Sequence, residues 1–435
     1  MSHRTSRRDF LKTTAGAAAV AGTLDALGAR PLYANPAELI GRDPTPPKAH
    51  ETVNVAILGT GGMGTGHMNA FTKFAKDGVE NVRVVALCDV CLPRLEAART
   101  RCDTDQGGSV DTYTDYRQML QRGDIHGVLI ATPEHWHGQM GEDAIRAGKD
   151  VYVEKPMTLH LDAALRLKQV AEANPNVILE VGTQYVMFPS YNEARRMIRE
   201  GKIGKTVWSQ TSYCRNSKAG EWLYYEIDPA WEPGVNLDWD AWCGPLGPAP
   251  WNPEIYARWR RYRKYSTGII GDLLVHRITP LIHGADLGWP TRVIASGRHV
   301  IDKAMENHDQ VNLTIEFEND HTMVVAGSTA NEVGLETLIR GHKGNIYLGG
   351  RNTIVRPERI YAEEFDEETI EGENRGDTQD QLRRDWLECI RTRKAPASPV
   401  ELGTKVMVIV DLAARSMWEG GAFAFDPGTM TARRI

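Results

Sequence analysis

Apolar and polar positions along the chain follow two regimes. In the first, short unbroken apolar runs of strand length, VNVAIL (53–58), VRVVALC (82–88), GVLIATP (127–133) and DVYVEKP (150–156), alternate with segments of helical spacing near 116–121, 136–147 and 161–173. Runs apolar on both faces suit parallel strands covered by helices, so this regime predicts a doubly wound sheet with its ligand at the strand C-termini. A strand VILEVGTQ and an amphipathic segment, YNEARRMIREGKIG, lead out of it. From Thr206 the pattern turns to strands with long insertions: TVWSQTSYC, RVIASGRHV, VNLTIEFEN, HTMVVAGST, ETLIRGH and NIYLGG, then two closing helices, DQLRRDWLECIRT and TKVMVIVDLAARSMW. Six strands with few helices between them predict a large, mostly antiparallel sheet. The fold class expected is therefore α/β, an N-terminal doubly wound domain of Rossmann type (51–175) followed by a C-terminal α/β domain (176–435).

The first turn carries the chemistry of that prediction. Gly59, Gly61 and Gly64 stand directly after the first strand in the pattern G-x-G-x-x-G, with Gly62 and Met63 between them. Gly59 serves a tight turn, Gly61 lets backbone approach a pyrophosphate, and Gly64 permits close helix–strand packing, while the helix N-terminus offers free N–H groups. Asp89 ends the second strand, 25 residues beyond Gly64, where a carboxylate accepts hydrogen bonds from the ribose hydroxyls. A carboxylate there repels a 2′-phosphate, which argues for NAD over NADP, with Arg94 softening the preference. Thr132-Pro133 and Glu154-Lys155-Pro156 close two further strands and are expected to face one cleft.

Further on, GDLLVHRITPLIHGAD places Asp272 and His276 four residues apart, on one face of a helix, where the carboxylate can orient the imidazole. Histidine has the pKa to take a hydroxyl proton, and a lysine at a strand end, Lys155, can hold that hydroxyl. His283 and Asp286 extend the same region, but Pro280 interrupts any metal-ligand spacing, and no metal is expected. Cys88 and Cys91 form a C-x-x-C without a second pair, and strand packing is the simpler reading.

Composition narrows the function classes. A formal net charge of −6 gives no footprint for nucleic acid, and the basic run Arg258, Arg260, Arg261, Arg263 and Lys264 is the local exception. Seven of the eleven tryptophans fall between Trp208 and Trp259, either as a wall for pyranose rings or as the packing of a long insertion. At the other end, Ser6, Arg7, Arg8, Asp9, Phe10, Leu11 and Lys12 resemble the twin-arginine export signature, followed by an Ala/Gly-rich stretch too short and weakly apolar to span a bilayer. The reading is a signal peptide over 1–34, a Pro-rich linker over 35–50, and a mature protein without a membrane span, carried by the twin-arginine machinery to the periplasm or beyond.

GTGGMG, ATPEHWH, AGKDVYVEKP, GTQYVMFPSYNEARRMIREGKIGK and GDLLVH together resemble the Gfo/Idh/MocA oxidoreductases, NAD(P)-dependent enzymes acting mainly on sugars and cyclitols. The resemblance implies catalytic roles for Lys155, Asp272 and His276. It implies cofactor contacts at Gly59, Gly61, Gly62, Met63, Gly64, Asp89, Thr132, Pro133, His137, Glu154 and Lys155. Tyr185, Arg215 and Asn216 are candidate contacts for a carbohydrate substrate. Where the family often carries a third residue in DxxxHxxD, this chain has Thr279 followed by Pro280. The resemblance leaves three readings: a sugar or cyclitol oxidoreductase, an NAD-dependent glycosidase working by transient oxidation and elimination, and a non-catalytic carbohydrate-binding protein. Homo-oligomers are common in the family.

Overall fold

A computed structural model describes residues 43–48 and 50–435; the export motif and most of the linker lie outside the described residues. The first sheet contains β1 (Val53–Leu58), β2 (Val82–Cys88), β3 (Asp111–Tyr113), β4 (Gly127–Ile130), β5 (Asp150–Val153) and β6 (Leu179–Val181), all parallel, in the order β3-β2-β1-β4-β5-β6. Its interior strands β4 and β5 are buried at every position, as helices on both faces require. Those helices are α1 (Gly62–Lys76), α2 (Leu92–Gln106), the short α3 (Tyr116–Leu120), α4 (Glu134–Arg146) and α5 (Leu161–Ala173). β6 comes from the stretch that the sequence pattern places at the threshold of the second domain, and it pairs in parallel with β5.

After α6 (Pro189–Arg199) the chain builds a ten-stranded sheet. It contains β7 (Thr206–Cys214), β8 (Pro290–Arg298), β9 (Gln310–Phe317), β10 (Thr322–Ser328), β11 (Leu338–Gly341), β12 (Gly344–Gly349), β13 (Asn352–Pro357), β14 (Glu368–Ile370), β15 (Ala422–Asp426) and β16 (Thr431–Arg434). The order is β14-β13-β12-β11-β7-β10-β9-β8-β15-β16, with β7 and β10 parallel and every other pairing antiparallel. Its inward positions alternate with half-exposed ones, as in β9, whose Val311, Leu313, Ile315 and Phe317 are buried. The four strands of this sheet without a sequence prediction, β13 to β16, extend its two edges.

Within the long connection from β7 to β8 lie α7 (Trp239–Cys243), α8 (Pro253–Arg258), a π-helical turn (Ile270–Leu274) and α9 (Val275–Gly284). The two predicted closing helices are α10 (Thr378–Thr392) and α11 (Val400–Glu419), whose buried face runs from Leu402 to Ser416. Among the described residues, no helix is long and apolar enough to cross a membrane.

Candidate active site

The glycine loop is shaped by two contacts that no side chain could share. Gly59 has φ +86°, and a Cβ there would meet the Ala131 carbonyl oxygen at 2.8 Å; a Cβ on Gly64 would run into the Gly59 carbonyl oxygen. Gly61 and Gly62 differ: a Cβ on Gly62 meets nothing within 4 Å, and one on Gly61 only Arg94 Nη1 at 3.9 Å. Their open side lies at the N-terminus of α1, which has neither a side-chain cap nor an acidic residue in its first turn. An uncapped helix N-terminus with open backbone in front of it suits a pyrophosphate. Asp89 Oδ2 accepts from Thr60 N at 2.7 Å and Thr60 Oγ1 at 3.0 Å, and Oδ1 from Cys91 N at 2.9 Å. The carboxylate thus ties the glycine loop to the end of β2 and is held in place for any ribose hydroxyl. These residues fit a dinucleotide.

At the end of β5, Glu154 is fully buried. Arg383 Nε of α10 donates to His67 Nδ1 at 2.9 Å, so the His67 proton sits on Nε2, which donates to Glu154 Oε1 at 2.9 Å. Burial alone would raise the Glu154 carboxyl, but His67 and nearby cations outweigh it and hold it below the usual range. Lys155 N donates to Glu154 Oε2 at 3.2 Å, so the preceding carboxylate braces the backbone that carries Lys155. His137 is buried with Nδ1 2.8 Å from the Pro156 oxygen and Nε2 2.8 Å from the Thr132 oxygen. Its ring therefore links the two strand-end loops, with both its nitrogens facing backbone carbonyls. Thr132 Oγ1 faces Met140 Sδ at 3.6 Å, Pro133 caps α4, and Met63 is exposed at the front of α1.

The expected Asp272–His276 pairing takes a different form. Asp272 lies in the π-helical turn, where the wider winding removes the stacking of residues four apart. Its Oδ1 accepts from Lys155 Nζ at 2.8 Å and from Arg260 Nε at 2.8 Å, and Lys155 Nζ also donates to the Asp272 carbonyl at 2.9 Å. Burial works to raise this carboxyl, and the two cations prevail, holding it far below the carboxylate range. The carboxylate therefore positions Lys155 rather than the imidazole. His276 is half-buried, its Nδ1 has no hydrogen-bond partner, and its pKa is pushed down to about 3 by burial first and by the charge of Lys155 second. It is a neutral imidazole under the influence of a nearby cation.

Tyr185 stands 5.5 Å from the His276 ring, centroid to centroid, and Tyr213 of β7 at 6.2 Å. Arg215 Nη2 pairs with buried Glu221 at 2.8 Å while its guanidinium lies 5.8 Å from the Tyr213 ring, and Asn216 forms a backbone bridge with Ala330. Thr279 is buried and its hydroxyl donates to the Val275 carbonyl at 2.7 Å. Pro280, inside α9, has no N–H to offer the His276 carbonyl.

Three site residues escaped the sequence reading. Arg260 belongs to the basic run, which does not form a patch: Arg258 pairs with Glu254, Arg260 with Asp272, Arg261 with Asp302, and Arg263 bonds Glu306. Tyr213 was legible only as one more position in an alternating strand. Glu134 of ATPEHWH is buried, accepts from Ser266 Oγ at 2.6 Å, and is raised to about 7 by burial. The tryptophans resolve toward packing, since Trp231, Trp239, Trp242 and Trp259 share one buried cluster. Cys88 and Cys91 are both buried and unbridged, and burial pushes the Cys88 thiol well up.

Residues 53–183 match the profile of an oxidoreductase family, NAD-binding Rossmann fold, and residues 248–424 that of the same family's C-terminal alpha/beta domain. The chain belongs to the Gfo/Idh/MocA oxidoreductase family. Its first domain is accordingly an NAD-binding Rossmann domain. Curated relatives and solved structures resemble it over different extents. A glycosyl hydrolase family 109 protein of Saccharopolyspora erythraea is 31% identical over 254 residues, covering 54% of this chain and 52% of that protein. A glycosyl hydrolase family 109 protein 1 of a Shewanella species is 28% identical over 242 residues, or 52% and 49% of the two chains. The chain thus spans about half the length of the curated relatives it matches. Among solved structures, levoglucosan dehydrogenase in complex with NADH superposes with a TM-score of 0.65 at 20% identity, over 86% of this chain and 98% of that one. An NAD-binding oxidoreductase from Klebsiella pneumoniae gives 0.63 at 20%, over 85% and 96%. At such identity these two share the fold.

Proposed function

We propose that this protein is an exported NAD-dependent oxidoreductase acting on a hydroxyl of a sugar, glycoside or cyclitol, with His276 as the base and Lys155 as the hydroxyl clamp. The observation that carries the reading is the pairing of a neutral imidazole without a hydrogen-bond partner on Nδ1 with a lysine fixed by Asp272 at the end of β5. Bound nicotinamide supplies the hydride acceptor. Lys155 donates a hydrogen bond to the reacting hydroxyl and stabilises its developing charge, and His276 takes the proton. Asp272 and Arg260 fix the ammonium, and Tyr185 and Tyr213 flank the imidazole with surfaces suited to the C–H faces of a pyranose.

The arginine pair at Arg7 and Arg8 supports export by a route that carries folded proteins, with NAD loaded beforehand and retained. A retained cofactor favours redox-neutral turnover, so glycoside cleavage by transient oxidation and elimination is the second reading, and the glycosyl hydrolase family 109 relatives favour it. One experiment divides the two. The protein is purified as exported, its bound NAD measured by absorbance, and free sugars and aryl glycosides are offered with and without added NAD. Stoichiometric NADH from a free sugar, formed only with added NAD, supports the simple dehydrogenase; aglycone release without net NADH supports the glycosidase. Neither product from any substrate, with His276→Ala indistinguishable from wild type, would refute catalysis at this site.

A further inference from the structure

The segment 215–265, between β7 and the π-helical turn, carries only short helices, yet it has a core of its own. Trp231, Trp239, Trp242 and Tyr256 gather there with Leu237 in one buried cluster, and that cluster includes Cys91, a residue of the Rossmann domain. The attachment is also made through backbone. Leu237 and Cys91 form an antiparallel bridge, Leu92 N donates to the Asn236 oxygen at 2.9 Å, and Asp238 N donates to the Val90 oxygen at 3.0 Å. Cys91 N in turn bonds Asp89, so the anchor stands two residues from the carboxylate that braces the glycine loop. The Arg94 guanidinium is held 4.8 Å from the ring centroids of both Trp231 and Tyr256, and it borders the open side of Gly61.

The same segment has two further attachments. Trp136 Nε1 and His135 Nε2, at the start of α4 just after β4, reach the Trp242 oxygen at 3.0 and 2.8 Å. Arg260 reaches Asp272, whose carboxylate also holds Lys155 just after β5. One continuous segment is therefore fastened at the C-terminal ends of β2, β4 and β5. In the sheet order β2-β1-β4-β5, these lie on both sides of the β1 glycine loop. In doubly wound sheets a dinucleotide lies along that crest, from the carboxylate after β2 to the strand ends beyond β4.

We propose that segment 215–265 is a strap that retains NAD in the crevice, and that its detachment from Cys91 limits cofactor exchange. The proposal rests on the reading that the protein carries its NAD with it, and it supplies the physical means. Exchange then requires breaking two backbone hydrogen bonds, an aromatic core and the contacts of Arg94 with Trp231 and Tyr256 together, a local unfolding event rather than a side-chain movement.

The bridge itself provides the test. Paired Cα atoms in an antiparallel ladder lie about 4.5–5.5 Å apart, within the span a disulfide accepts. Leu237→Cys therefore places a thiol opposite native Cys91, and oxidation with diamide locks the strap, with the bond verified by peptide mass and reversed by dithiothreitol. The full protein with its bound NAD is mixed with excess isotopically labelled NAD, and replacement is followed by mass spectrometry. Locking is expected to slow replacement by about tenfold or more, since differences between related complexes lie mostly in the rate of release, with recovery on reduction. Trp231→Ala, which opens the cluster without a new bond, is expected to accelerate replacement. Equal rates for the oxidised and reduced protein overturn the strap, and so does Trp231→Ala exchanging at the wild-type rate. Wild type isolated without NAD would instead refute the carried-cofactor reading. The oxidised and reduced forms, compared then with added NAD, still decide the strap.

Discussion

Replacing Asp272 by Asn keeps the side-chain shape and removes the one carboxylate that Lys155 and Arg260 share. Each nitrogen stands 2.8 Å from the same oxygen. The two cations are therefore no more than about 6 Å apart, where their bare repulsion at an effective dielectric of ~20 is about 3 kcal/mol. The three side chains are only 9 to 19% exposed, so water screens little of this. A destabilisation of about 3 kcal/mol, the lower end for breaking a buried pair, is expected. Urea unfolding at fixed NAD concentration measures it as a lower midpoint with unchanged slope. The sign of the pH dependence follows from a carboxyl held below its unfolded value of 3.8. The gap between wild type and variant is full above about pH 5 and narrows only as pH falls below about 4. The double variant Asp272→Asn, Lys155→Met leaves a single cation and should recover at least about 1 kcal/mol, a coupling that a double-mutant cycle isolates. A loss under about 1 kcal/mol for Asp272→Asn, or a double variant whose losses merely add, would refute the shared-carboxylate reasoning.

Two further outcomes are expected. Glu134 is raised from 4.5 to about 7 by burial, so its contribution to stability is present in full below pH 4.5 and is lost as pH rises through about 7. Glu134→Gln should remove that slope and gain up to about 3 kcal/mol on wild type at pH 8, read from urea midpoints at pH 5 and pH 8. His276 should titrate far below the ordinary value of 6.5, near 3, and Lys155→Met should raise its pKa by removing the second cause of the shift. NMR of histidine-labelled protein, assigned with His276→Asn, reads both; a wild-type value near 6.5 that Lys155→Met leaves unmoved would contradict the geometry.

Much of the first domain was legible because its information is local. An apolar run of strand length, a glycine that needs φ +86° and a helix without an N-terminal cap are properties of neighbouring residues. β1 and β2 accordingly begin and end where the pattern places them, as does β7 in the second sheet. The edge strands β13 to β16 were missed for the converse reason. Segments such as Glu368–Ile370 are short and exposed, and they become strands only because a neighbouring strand offers unpaired backbone.

The site divides along the same line. The sequence by itself determined the dinucleotide loop, Asp89, Lys155 at a strand end and His276 in a helical segment, since each depends on residue type and on spacing within one element. Only the tertiary structure decided that Asp272 serves Lys155 and Arg260, that Glu154 is braced by His67 and Arg383, and that the tryptophans fasten onto Cys91. Lys155 and Asp272 are separated by 117 residues, and His67 and Arg383 by 316. A charge buried by folding takes whichever opposite charge the packing brings within about 3 Å, and no periodicity along the chain encodes that partner.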